Sequence, residues 1–183
     1  GSIDVYSSAD RAIGIFGYSA DGSIDITNSG AITVESAGLL ADGIFASGAT
    51  VDVHNSGTID ATGYAWAAGI EAQGGDLVTV DNSGTINATT SDFGSAYGLY
   101  ATGGAGGATV GNSGSITAMG YYATGIDVRS EGGISITNTG NITAGSADYS
   151  ALGTGIHASN NYENSDITVI NGGDISAAGY YGA

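Results

Sequence analysis

A chain of 183 residues with eighteen acidic side chains, two arginines, no lysine and no cysteine carries a formal net charge of −16. Nucleic-acid binding depends on cations displacing phosphate counterions, and attraction to an anionic membrane surface needs them too, so both roles are excluded as expectations. Disulfides and thiolate metal sites are removed by the lack of cysteine, and no run of eighteen apolar residues offers membrane insertion by a helix. Thirty-four glycines without a proline are not disorder here, because β-branched residues recur at regular positions. They are not collagen either, because glycine has no three-residue period.

In chain order, Gly1-Ser2-Ile3-Asp4-Val5 reads as the back half of a repeat and not as a signal peptide. A full corner follows at Asn28-Ser29-Gly30-Ala31-Ile32. It recurs from Asn55, Asn82 and Asn112, with looser copies from Asn138 and Asn171, at separations of 27, 27, 30, 26 and 33 residues. A period in this range marks a solenoid.

Between Asn55 and Asp81 three segments alternate apolar with small polar residues: Thr58 to Ala61, Gly69 to Ala72 and Val78 to Val80. The spacing predicts short strands with one buried face, joined by a first loop and by a second loop from Gln73 to Leu77. Other coils align to the same template, as with Ile32/Val34, Ile44/Ala46 and Val51/Val53. Apolar residues two apart point inward together and stack into columns about 4.7–4.9 Å apart. Helical repeats would need apolar spacings of three and four, and would carry roughly 1 kcal/mol for each interior glycine.

The predicted fold is therefore all-β, a parallel β-helix (β-solenoid) with three short strands per coil and six to seven coils. Its hand is expected to be right-handed. One domain spans residues 1–183, starting and ending mid-repeat, as a fragment of a longer rod or a stacking unit does. The stretch between third and first strands is always five residues, whereas the other two connections vary in length. Variation places recognition on those two edges.

The corner asparagines Asn28, Asn55, Asn82, Asn112, Asn138 and Asn171 are expected to hydrogen-bond from coil to coil as a structural ladder. The glycine two positions later is expected to supply positive φ. Aromatic residues gather in the first loop: Tyr64, Trp66, Phe93, Tyr97, Tyr121, Tyr122, Tyr149, Tyr180 and Tyr181. Phe16, Phe45 and Tyr100 take outward second-strand positions. Such rings either cover glycine-rich backbone or form a contact stripe for sugars, a surface or a neighbouring filament.

No metal site is predicted. Ca²⁺ is the one cofactor that the outward acids admit, at Asp25 above Asp52, and plain solvation is the preferred account of the pair. The stretch Gly103-Gly104-Ala105-Gly106-Gly107-Ala108 lacks the aspartate of the calcium nonapeptide and the lysine and threonine of a phosphate loop, and reads as a bend. His54 and His157 lie about four coils apart and read as solvated surface residues. No single coil gathers His, Asp, Glu and Arg, so catalysis is not expected.

The pattern N-S-G-T-I-x-A, then A-x-G-I-x-A, then V-T-V resembles the passenger repeats of bacterial autotransporter adhesins and related haemagglutinin-like β-helix proteins. The resemblance covers essentially all 183 residues. It implies a right-handed parallel β-helix, secreted to the bacterial cell surface, that serves as a rod-like stalk, adhesin or filament segment. No motif of a passenger-borne protease or lipase is present, so no catalytic residue carries over. The partners implied are further copies, end to end or laterally, or a glycan, host or abiotic surface. Two rivals stand beside this reading. One is an ice- or surface-binding solenoid using Thr79, Thr109, Ser135 and Thr168, a column that Asp25 and Asp52 interrupt. The other is a carbohydrate-active β-helix enzyme, for which two arginines are few.

Overall fold

The computed structural model describes residues 1–91, 93–145, 152–160 and 165–180. Alternating aliphatic and small polar residues make strands, and among the described residues every regular element is one. Seven strands stack in chain order into one parallel sheet: Ser2–Ser7, Ala31–Ser36, Thr58–Gly63, Thr85–Thr90, Ser115–Met119, Asn141–Ala144 and Ile175–Ala177. A ten-stranded parallel sheet carries the second and third segments of the coils. Together they wind a β-solenoid of about six turns.

Like stacks on like. Ile3, Ile32, Ile59, Ile86, Ile116, Ile142 and Ile175 form one continuous column across the first sheet. Ile44, Ile70, Leu99 and Ile126 form a second column, and Val53, Val80, Val110 and Ile136 a third. The interior members of all three columns are at most 1% exposed, and burial of each such side chain contributes about 1.5–3 kcal/mol. A smaller cluster of Ala67, Ala88, Ala96, Ala118 and Ala123 fills the corner between the first and second segments.

Two expectations change. The stretch from Gln73 to Leu77 is not a loop, because Leu40–Asn55 and Trp66–Asn82 each run as one strand through their second and third segments. Gly48 pairs with Gly74 and Thr50 with Leu77, so an irregularity at that point absorbs the extra residue while the ladder continues. The corner glycines also work differently from the expectation. Left-handed φ occurs at Gly107 and Gly145, not at Gly57, Gly84 or Gly114. At Gly57 a Cβ would collide with the carbonyl oxygen of Gly30 one coil away, and Gly84 meets Gly57 in the same way. The corner needs glycine for close backbone approach between coils.

A second glycine column has the same cause. At Gly69 a Cβ would run into Ile86 Cγ2 and come 2.7 Å from the Gly98 carbonyl oxygen. This column brings the second segment close enough to the first for the isoleucines to fill the interior.

Candidate functional site

The asparagine ladder forms as expected. Asn28 Nδ2 donates to Asn55 Oδ1 at 2.8 Å, Asn55 to Asn82 at 2.7 Å, Asn82 to Asn112 at 2.8 Å, Asn112 to Asn138 at 2.7 Å and Asn138 to Asn171 at 2.7 Å. Each amide also donates to the carbonyl oxygen two residues on, as Asn82 does to Gly84 O at 3.3 Å. Asn55, Asn82, Asn112 and Asn138 are buried, so these groups hold the register and touch no ligand.

The aromatic residues are ordered differently from the expectation. Trp66, Tyr97 and Tyr122 lie within strands, in Trp66–Asn82, Ser95–Gly103 and Tyr122–Ser130, and not in a first loop. Their side chains stand on the solvent side of the second segment. In register there, Phe16, Phe45, Glu71, Tyr100, Asp127 and His157 form one outward column. Beside it run Ile13, Asp42, Ala68, Tyr97 and Thr124.

The rings pack on one another across coils. Phe16 stacks on Phe45 at 5.4 Å, Trp66 leans on Tyr97 at 4.5 Å and meets Tyr100 edge-on at 5.8 Å. Tyr121 meets Tyr122 edge-on at 4.9 Å and Phe93 at 5.7 Å. Tyr64 and Tyr180 are exposed. Tyr149 and Tyr181 lie outside the described residues.

Both arginines of the chain stand on this same face. Arg11 gives Nε and Nη2 to Asp42 Oδ2 at 3.0 and 2.7 Å, and its guanidinium lies 4.6 Å from the Phe45 ring centroid. Arg129 binds both oxygens of Asp127, at 3.2 and 3.0 Å, and sits 5.5 Å from the Tyr100 centroid. His157 Nδ1 lies 3.0 Å from Asp127 Oδ1.

Asp42 and Asp127 are 1% and 3% exposed although their positions face outward, because arginines and rings close over them. The Trp66 and Glu71 side chains also lie against the Asp42 carboxyl. Burial raises the Asp42 carboxyl above its usual range, against the lowering effect of Arg11. Burial also raises Glu71, and the neighbouring Asp42 charge raises it further. Tyr97 and Tyr100 are raised chiefly by burial. Two raised carboxyls side by side are the raw material of acid–base chemistry, but Asp42 is sealed beneath its neighbours and is not placed to touch a substrate.

Arg11, Asp42, Glu71, Asp127 and Arg129 were not singled out by the sequence, since each comes from a different coil or a different column. Aligning every coil on the glycine before the second-strand isoleucine places them together, and that signal was available.

Elsewhere the outward columns form as spaced. Asp25, Asp52, Thr79, Thr109, Ser135 and Thr168 are consecutive partners. His54 is not simply solvated: it lies 3.2 Å from Asp52 and 3.4 Å from Asp81. A shallow groove of about 380 Å³ is lined by His54, Asp81, Ser83, Gly111 and Ser113, among others. Among the described residues no group of three or more His, Asp or Glu side chains is arranged to hold a metal ion. No protein-family model, no curated protein and no solved structure matches the chain.

Proposed function

We propose that this chain is a non-catalytic segment of an extracellular structural or adhesive rod, of the autotransporter-passenger and haemagglutinin-like kind that its repeats resemble. The observation that carries the reading is the lateral face of the second segment. There Phe16 stacks on Phe45, and Trp66, Tyr97 and Tyr100 pack together two coils further on, while the interior is a repetitive aliphatic stack. Aromatic side chains held rigidly on a sheet give a large contact area at low entropy cost. A rod of this type meets its surface along its flank, or pairs there with another copy.

Adhesion of the purified chain to bacterial or host cells, glycan-coated plates and bare polystyrene tests the proposal, with Trp66→Ala and Tyr100→Ala as paired variants. Adhesion that falls in the variants while the β-rich circular dichroism spectrum is kept is the expected result. Equal retention by wild type and both variants would sink it.

The in-register hydroxyl column Thr79, Thr109, Ser135 and Thr168 favours a second reading, contact with an ordered surface such as ice. Thermal hysteresis in the presence of the chain is its test, and none at millimolar concentration removes it.

A further inference from the structure

We infer that the aromatic face takes an uncharged glycan, in preference to an anionic one or a second copy of this chain; the inference rests on the adhesive reading above. It follows from where the positive charge is and what already uses it. The chain has two arginines and no lysine, and both arginines lie on this face. The charge of each is already answered within the face. Arg11 is held by Asp42 through two bonds, and Arg129 by both oxygens of Asp127.

Three of the eighteen acids, Asp42, Glu71 and Asp127, answer these two cations. The face is thus close to neutral on a chain of −16. A sulfated or uronic-acid sugar would meet the repulsion of the other fifteen acids with both guanidinium charges already balanced by Asp42 and Asp127. A second copy would bring a further −16, and charges within a Debye length of roughly 8–10 Å at physiological salt are not screened away. An uncharged ligand meets neither penalty.

The groups left accessible match sugar chemistry. Phe16 is 59% exposed and Phe45, Trp66 and Tyr100 are partly exposed, offering flat apolar surface to the C–H faces of pyranose rings. Glu71 and Gln73 stand beside the rings, with the Gln73 amide donating to Glu71 Oε1. The Gln73 amide oxygen remains an acceptor for a hydroxyl, and Thr102 and Thr124 are hydroxyls in the neighbouring coils of the same sheet. Phe16, Phe45, Trp66 and Tyr100 come from four successive coils, so an oligomer bound lengthwise meets several of them at once.

The chain contains one tryptophan, and it is on this face, so its fluorescence reports on the site alone. Trp66 emission of the 183-residue chain is followed during titration with neutral oligomers of glucose, mannose and N-acetylglucosamine, and separately with heparin fragments and oligogalacturonates. The expected result is a saturable change with at least one neutral series, insensitive to salt, and weaker or no change with the anionic series. Phe16→Ser, at an exposed position, and Tyr100→Ala should each weaken neutral binding by about tenfold, with the melting midpoint showing that the fold is kept. Asp127→Asn releases Arg129 and should raise affinity for the anionic series several-fold; no gain there would overturn the charge argument. Equal or tighter binding of anionic glycans by wild type overturns the inference and leaves the adhesive reading standing. So does adhesion to bare surfaces, or concentration-dependent pairing of the chain, with Trp66 silent to every sugar. No adhesion of any kind overturns both.

Discussion

Replacing Asn82 with alanine tests the ladder at its centre. Asn82 accepts from Asn55 at 2.7 Å, donates to Asn112 at 2.8 Å and to Gly84 O at 3.3 Å, and is 2% exposed. Alanine removes both inter-coil bonds, each contributing about 0.5–1.5 kcal/mol net, and strands the buried Asn112 Oδ1 without its donor, at about 1–3 kcal/mol. Asn55 Nδ2 keeps its bond to Gly57 O, so its loss is partial. The sum is about 2–6 kcal/mol, which is roughly 4–24 °C in melting midpoint for a chain of this size.

Asn171→Ala is the control. Asn171 accepts from Asn138, but its side chain is exposed and water replaces what is removed, so a loss under about 1 kcal/mol is expected. Asn82→Asp sharpens the test, because it keeps the shape and turns the donor to Asn112 Oδ1 into an acceptor. It should be at least as damaging as alanine at neutral pH. Urea denaturation followed by circular dichroism reads all three. Equal losses at Asn82 and Asn171, or an aspartate variant as stable as wild type, would refute the reasoning.

The glycine column predicts that Gly69→Ala loses about 1–3 kcal/mol through collision with Ile86 and the Gly98 carbonyl; a wild-type melting midpoint would show that the coils can separate freely. Arg11→Ala leaves the Asp42 carboxyl buried without its cation. Its cost is expected at about 1–3 kcal/mol, below the 3–5 of a fully buried pair because the guanidinium is about one-third exposed. Denaturation of the double variant Arg11→Ala/Asp42→Ala should recover part of it, and no recovery argues against the pair.

Burial in the folded chain raises the Glu71 carboxyl above its ordinary unfolded value. The native state therefore holds its proton longer as pH rises. This contribution to stability is fully present below the unfolded value and is lost as pH rises through the folded one. Glu71→Gln should flatten the decline of the melting midpoint across that window, and an identical slope in both proteins would dismiss the effect.

The interior was legible because its cause is local. Ile32, Ile59 and Ile86 announce themselves by alternation and by the fixed five-residue corner, and nothing tertiary overrides either. The asparagine ladder was legible for the same reason, since six copies at one register position admit one neighbour relation. The continuous strands through Gly48 and Gly74 were not, because glycines that look like a bend by composition are held by ladder bonds from the coils on both sides. The role of the corner glycines is not legible either. Positive φ is a property of one residue, whereas closeness to the carbonyl of Gly30 or Gly57 exists only once coils are stacked. The contact face was half visible. Its rings could be listed, but the pairing of Arg11 with Asp42 joins residues 31 apart, and only the exact stacking of outward columns brings them together.

The five amide bonds of the asparagine column all point one way, from each coil toward its C-terminal neighbour. Aligned amides polarise one another, so the column is a small directional conductor of hydrogen-bond strength. A coil set in upside down would put oxygen against oxygen on one side and N–H against N–H on the other. Such a stack can grow by duplication of its own repeat without a new part being invented, provided that every copy keeps the same heading. Length is free in this architecture, and direction is not.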